Sequence, residues 1–195
     1  MSDLVGRIAD LTPEKRKLLA QKLQKKLLAQ RLQQEKEPVA EVQILPQQRN
    51  SNVFPLSFAQ RGLWFLHQLD SHSAAYNMSS VHKLTGWLRV DALERSLAVV
   101  VQRHEVLRTT LLWGKLYGEE QPVQVIAPRL AMRVPVVDLC GWTASERDRQ
   151  VRQLARAEAQ SPFDLTVGPL LRVCLLRLDE QEHVLLCTLH HIISD

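Results

Sequence analysis

The spacing of hydrophobic residues predicts that the chain begins with one long helix. Leucines recur at helical intervals through residues 12–34 and form a single apolar stripe, while lysines and arginines occupy much of the remaining surface. Thr12 can cap this helix, and Pro13 suits its first position, where a missing N–H costs nothing. The stripe is too narrow to bury itself, so it needs a partner: the body of the protein, another chain or an acidic surface. The helical spacing of hydrophobic residues ends near Glu35, and the irregular stretch that follows predicts a linker and a domain boundary near residue 50.

Beyond this boundary the pattern alternates between helices and strands. Three helices are predicted at 57–69, 91–107 and 143–160, opened by Ser57, Asp91 and a Thr143–Glu146 capping box. Strands are predicted at 78–87, 108–113, 123–126, 132–137, 170–178 and 183–189, with a turn at 114–118. The last two strands are nearly continuous apolar runs, which is typical of strands buried on both faces. The mixture predicts a layered α/β or α+β domain.

Composition and charge distribution narrow the classes of function. The chain has 195 residues, 45% hydrophobic and 24% charged, which is ordinary globular composition and excludes disordered and collagen-like classes. Residues 1–36 carry 9 Lys and Arg against 4 Asp and Glu, a balance of +5, whereas residues 37–195 have a balance of −1, so the net charge of +4 comes from the N-terminal segment. No aromatic residue is interleaved with the basic residues of 12–34, as a stacking platform for nucleic acid would require. The charge therefore favours a docking segment, and we expect no nucleic-acid partner.

Membrane and disulfide chemistry are also disfavoured. No apolar run approaches the roughly 20 residues that span a bilayer, and the N-terminus lacks the order of a signal peptide. We therefore expect a cytoplasmic chain with no membrane partner. Cys140, Cys174 and Cys187 are odd in number and share no CxxC spacing, which argues against a disulfide framework and a cysteine zinc site.

The candidate chemistry lies in the last six residues, which are His190, His191, Ile192, Ile193, Ser194 and Asp195. Two histidines leave a buried strand and enter a segment that ends in a carboxylate, and a strand end is a rigid support for a catalytic group. A neutral imidazole can take a proton from an attacking amine or hydroxyl. The alternative is a histidine pair that is simply hydrogen-bonded in the core. A metal site is weaker, because three ligands would require the loop to fold back, and we predict none.

Four ordered stretches resemble the condensation domains of non-ribosomal peptide synthetases. HHIISD resembles their HHxxxDG signature, and the other three stretches precede it in the family's order. These are SFAQRGLWFL (57–66), RHEVLRTTL (103–111) and FDLTVGPLLRVCLLRL (163–178). The resemblance covers residues 53–195. It divides the chain into a basic helical leader at 1–36, a linker at 37–52 and the N-terminal lobe at 53–195.

The resemblance implies a fold and a reaction. The family's fold is similar to chloramphenicol acetyltransferase, with two lobes and the histidine motif at the tunnel between them. Its members join an upstream aminoacyl, peptidyl or acyl thioester to the α-amine of a downstream aminoacyl thioester. Both substrates are carried on phosphopantetheine arms of carrier proteins, so no cofactor is expected to bind this chain itself. The implied partners are the two carrier proteins, the second lobe with its adjoining adenylation domain, and an upstream synthetase subunit docked through residues 12–34.

The resemblance also implies roles for individual residues. His191, the second histidine, would be the catalytic residue, acting as a base toward the amine or positioning it. His190 would line the site, with Ser194 in the same supporting group, and Asp195 would be structural and paired with an arginine. Arg103 and Arg108 are the candidates for that pairing. Their alternative interpretation is as exposed arginines at a helix end and a strand start.

Departures from the family pattern lead to further expectations. Gly62 stands where the first motif usually has arginine, with Arg61 one place earlier, and Leu111 replaces the usual phenylalanine of the second motif. The chain stops at Asp195, before the second lobe, so we expect little or no condensation activity from it alone. A non-catalytic interaction module and an epimerization-type fragment stay open as alternatives. The histidine pair disfavours heterocyclization, because those domains carry an aspartate motif there.

Overall fold

A computed structural model describes residues 49–194 continuously and, before them, residues 12, 15, 18, 21, 22, 25 and 26. The last six of these isolated positions are helical and exposed. The rest of the predicted leading helix, most of the predicted linker and Asp195 lie outside the described residues. Leu56–Ser71 belong to one compact unit, whereas Asn52–Pro55 and the chain from His72 onward belong to a second.

The first unit contains helix α1, Phe58–Leu69. The predicted cap is confirmed, because the Ser57 hydroxyl accepts the Gln60 N–H and the Gln60 side chain accepts the Ser57 N–H in return. The part of this capping box that Gln60 contributes was not predicted. Trp64 is buried and Arg61 is exposed on the helix.

The second unit contains two sheets and two helices, which confirms the mixed α/β class. The smaller sheet is antiparallel, in the order β1 (Val53–Pro55), β4 (Glu119–Ile126), β3 (Thr109–Leu116). The larger sheet has the order β2 (Asn77–Thr85), β7 (Glu182–His190), β6 (Leu171–Asp179), β5 (Val136–Asp138), and only its β5–β6 pair is parallel. The helices are α2 (Val90–Arg103) and α3 (Ala144–Gln160), with short 3₁₀ turns at Glu105–Arg108 and His191–Ile193.

Apolar side chains of β6 and β7 alternate between two buried clusters. One cluster contains Val101 of α2 together with Leu171, Val173 and Leu175 of β6. The other contains Leu176, Val184 and Leu186, with side chains of α3 packed against it. The continuous apolar runs of these two strands follow from this arrangement, because both faces of the strands are covered.

The predicted start of α2 is wrong. The helix begins after Arg89, which provides no side-chain cap, and Asp91 lies in the first turn. There the Asp91 carboxylate pairs with Arg89 at 2.8 Å and with Arg95 at 2.9 Å, so an ion pair occupies the oxygens that a cap would use. The helix also ends at Arg103 and not near Leu107, because a separate 3₁₀ turn follows.

Two predicted features of the strands are also wrong. Gly114 lies within β3 and not in a turn. A Cβ at this position would lie only 2.8 Å from Val123 Cγ2 of the paired strand, so the glycine is needed for close pairing and not for a turn. The turn itself is Tyr117–Gly118, both with positive φ, which suits a tight hairpin. The strand predicted at 132–137 is reduced to β5, because Met132 and Val134 are buried in irregular chain against the α2 cluster.

Candidate active site

The candidate site is the point where β7 ends and the 3₁₀ turn begins. His190, the last residue of β7, pairs in register with Asn77 of β2, and its N–H donates to the Leu170 carbonyl at 3.0 Å. Its imidazole is 3% exposed and meets the Phe163 ring edge-on, with centroids 6.1 Å apart. The Tyr76 ring is tilted against it at 6.3 Å. The first histidine is therefore a core residue with aromatic neighbours.

The side chain of His190 also organises the turn. Its Nδ1 accepts the N–H of Ile192 at 3.1 Å, and this bond is buried. In this arrangement Nδ1 is unprotonated, so the proton of the neutral ring lies on Nε2. The buried side chains of Ile192 and Ile193, both under 4% exposed, fix the turn against the core.

His191 carries its side chain at the edge of this buried support. Its N–H donates to the Tyr76 carbonyl at 2.8 Å, and its ring is half-buried. Its Nδ1 lies 3.4 Å from Ser194 Oγ, and that hydroxyl contacts Met78 Sδ at 3.0 Å. If Nδ1–H donates to Ser194, the lone pair on Nε2 is left to accept a proton. This is the arrangement that a general base requires.

The two arginines singled out from the sequence differ in their surroundings. Arg108 is nearly buried: its guanidinium donates to the Ala127 carbonyl and to Glu105 Oε1, the latter at 3.4 Å. Its Nε is buried without a hydrogen-bond partner among the described residues. Arg103 is exposed at the end of α2. Since Asp195 lies outside the described residues, its pairing with either arginine stays a prediction.

Backbone contacts join three of the stretches that carry the resemblance. The N–H of Leu111, fully buried in β3, donates to the Leu165 carbonyl at 2.8 Å. The chain from Phe163 to Leu170 therefore contacts β3 through Leu165 and the histidine motif through the Leu170 carbonyl and the Phe163 ring. These three motifs are neighbours in the folded unit and not only in order along the chain.

Sequence reasoning missed four residues around the site: Tyr76, Asn77, Phe163 and Arg172. The last two stand in the 163–178 stretch that resembles the family, but neither was given an individual role. No sequence pattern pointed to Tyr76 or Asn77 as residues of the site, because the strand was predicted to begin at residue 78, one residue after the start of β2.

The described residues include three thiols but no cluster of metal ligands. Within them, no group of three or more His, Cys, Asp or Glu side chains is placed to hold a metal ion. Cys140, Cys174 and Cys187 are free thiols, and burial raises the pKa of the latter two. No helix in this part of the chain is long and apolar enough to cross a membrane.

Comparisons with known proteins agree on one family. A family model described as Condensation domain matches residues 50–195. One component of the linear gramicidin synthase of Brevibacillus parabrevis is 51% identical over 155 residues, covering 80% of this chain and 3% of that protein. Phosphinothricin tripeptide synthetase PhsC of Streptomyces viridochromogenes is 35% identical over all 195 residues and 17% of its own length. The chain thus spans a small fraction of the curated relatives it matches.

Solved structures show the same likeness. The starter condensation domain of rhizomide synthetase RzmA is 27% identical, with a TM-score of 0.66 over 74% of this chain and 35% of that chain. The first condensation domain of the CDA synthetase, 21% identical, shares the fold with a TM-score of 0.64 over 73% of this chain and 35% of that chain.

Proposed function

The chain belongs to the condensation-domain family of non-ribosomal peptide synthetases, and on that premise we propose that it is the first lobe of an amide-forming domain. The chloramphenicol acetyltransferase-like fold predicted from the sequence is confirmed by its structural neighbours. The proposed substrates are an upstream acyl, aminoacyl or peptidyl thioester and the α-amine of a downstream aminoacyl thioester.

The observation that carries the proposal is the geometry of His191. Its backbone is fixed by the Tyr76 carbonyl, and the turn that bears it is fixed by His190. With Nδ1 directed to Ser194, Nε2 is the atom that acts on the substrate.

The amine nitrogen attacks the thioester carbonyl carbon and forms the new C–N bond. His191 Nε2 takes the proton that the amine loses, the C–S bond breaks, and the departing thiolate receives that proton. No covalent bond to the protein is needed, because the amine attacks the thioester directly.

The remaining parts of the site come from outside this chain. The chain covers about a third of the matched solved condensation domains, so we propose that a second lobe supplies the other wall of the tunnel. Carrier proteins deliver both substrates on phosphopantetheine arms, and the predicted helix at 12–34 is proposed to dock an upstream synthetase protein. By this proposal residues 1–195 alone have little or no activity.

The test compares amide formation by the complete two-lobed domain and by residues 1–195, using substrates loaded on carrier proteins. We expect product only from the complete domain. His191→Ala in that domain should lower kcat by about 10²–10⁴-fold, the range of a positioned general base. His82→Ala is the matched control, because His82 is exposed on β2, and it should retain wild-type turnover.

Two outcomes would contradict the proposal. Robust product from residues 1–195 alone would show that one lobe suffices. Turnover by His191→Ala within a few-fold of wild type would remove the general-base role.

A further inference from the structure

We propose that Arg172 of β6 is a positioning residue that holds the histidine turn through the ring of Phe163. The inference rests on the proposed function, because it takes His191 as the group to be positioned. Arg172 lies on the strand next to β7 and pairs in register with Thr188, two residues before His190.

The guanidinium of Arg172 fastens the end of α3 to the sheet. Its Nε lies 2.5 Å from Glu158 Oε1, and its side chain is only 28% exposed. Its other nitrogens donate to the carbonyls of Glu158 at 3.2 Å, Ser161 at 2.7 Å and Pro162 at 3.2 Å. One cation therefore binds a carbonyl in the last turn of α3 and the two carbonyls that directly follow the helix, where a positive charge is favourable.

The same guanidinium fixes the residue that contacts His190. It lies against the face of Phe163, with 3.7 Å between the guanidinium carbon and the ring centroid. Phe163 is 5% exposed, and its ring meets the His190 imidazole edge-on. A cation on an aromatic face is attractive, and the geometry orders three groups as guanidinium, phenyl and imidazole.

This stacking of guanidinium, phenyl and imidazole matters because the His190 ring must keep its Nδ1 available to the Ile192 N–H. Its Nδ1 can accept the Ile192 N–H only while that nitrogen is unprotonated. Arg172 holds the Phe163 ring that packs against His190, and the His190 side chain shapes the turn that presents His191.

A second contact reinforces the same end of α3. The Asn77 amide donates to the Ala159 carbonyl at 2.9 Å and to the Ser161 carbonyl at 2.7 Å. Asn77 directly follows Tyr76, whose carbonyl holds the His191 N–H. Ser161 therefore receives both Asn77 and Arg172, and the end of α3 is bonded to the strands on either side of β7.

The test uses Arg172→Met in the 195-residue chain, with hydrogen exchange and ¹⁵N histidine shifts as readouts. We expect roughly tenfold faster exchange of the Ile192 N–H and loss of the single His190 tautomer. The matched control is Arg147→Met, since Arg147 also joins α3 to β6, through the Leu178 carbonyl at 2.6 Å, at the other end of the helix. It should leave Ile192 and His190 unchanged.

Two further variants separate positioning from helix capping. Arg172→Lys keeps a cation over Phe163 and should recover part of the Ile192 protection. Phe163→Leu leaves the Arg172 contacts to α3 in place but should accelerate Ile192 exchange as Arg172→Met does. If Phe163→Leu leaves Ile192 unchanged, or Arg147→Met matches Arg172→Met, the proposed relay is overturned.

Turnover in the complete domain gives the functional readout. Arg172→Met should lower kcat roughly tenfold with KM unchanged, because a misplaced catalytic group costs rate and not binding. A wild-type domain that forms no amide bond would refute the proposed function, while the exchange data would still decide the contact of Arg172 with the histidine turn.

Discussion

The two helices of the second unit cover opposite faces of the four-stranded sheet by different means. α2 packs through apolar side chains, among them Val101 at 1% exposure and the partly buried Leu93 and Leu97. α3 has no fully buried residue, although Val151, Leu154 and Ala155 pack against the sheet. α2 therefore presents the more deeply buried apolar face to the sheet, whereas α3 adds further contacts to a shallower one.

The further contacts of α3 are polar, and they lie at the two ends of the helix. A capping box and the Arg147–Leu178 bond hold the first turns, and Arg172 with Asn77 holds the last. Apolar packing spreads its energy along α2, but polar contacts concentrate it at a few atoms. The histidine turn lies beside one of those ends, so a single side chain there can influence the site.

The largest effect in this comparison is expected on the α2 face. Val101→Ala should lower the free energy of unfolding by about 2–3 kcal/mol, from lost transfer energy and the cavity left behind. Val99→Ala is the control, because Val99 is 66% exposed on the same helix and should change stability by no more than about 0.5 kcal/mol. Denaturant unfolding measures both. Equal losses would mean that α2 is not held by its buried face.

A smaller effect is expected at the start of α3. Thr143→Ala removes the hydroxyl that accepts the Glu146 N–H and donates to the Glu146 carboxylate, and should cost about 1 kcal/mol. Thr143→Ser keeps the hydroxyl and should cost no more than about 0.3 kcal/mol. A Thr143→Ala variant as stable as wild type would show that the packing of α3 is enough without its cap.

The smallest effect concerns the carboxylates at the two helix starts. The hydrogen bond from Arg89, with help from Arg95, lowers the pKa of Asp91 to about 2, whereas the Thr143 hydroxyl and N–H lower the pKa of Glu146. Each carboxylate stabilises the fold above its unfolded-state pKa, and this contribution is lost as the pH falls through the folded-state pKa.

A change in salt concentration distinguishes the pKa shift caused by charged arginines at Asp91 from the shift caused by neutral donors at Glu146. At about 1 M NaCl, where the screening length is about 3 Å, the pKa of Asp91 should rise toward its ordinary value. That of Glu146 should move less, because its donors are neutral. Carboxyl ¹³C titrations at low and high salt measure both values, and an equal rise in the two would contradict the assignment.

Local sequence predicted part of this molecule well. The Thr143–Glu146 capping box is confirmed because both partners lie within one helical turn. The apolar runs of β6 and β7, and the two histidines at the end of β7, are also confirmed in position. Asp91 failed as a cap because Arg89 and Arg95 take its carboxylate, a competition that the capping pattern does not include.

The sequence by itself determined most of the helices and strands and where the histidines stand, because those properties depend largely on neighbours a few residues apart. Only the tertiary structure decided that β5 joins β6 in parallel, that Met132 packs in irregular chain, and that Arg172 reaches His190 through Phe163. These depend on contacts between residues far apart in the chain, where burial and hydrogen bonding are settled by the whole fold. The motif therefore identifies the catalytic candidate, and long-range packing determines how it is held.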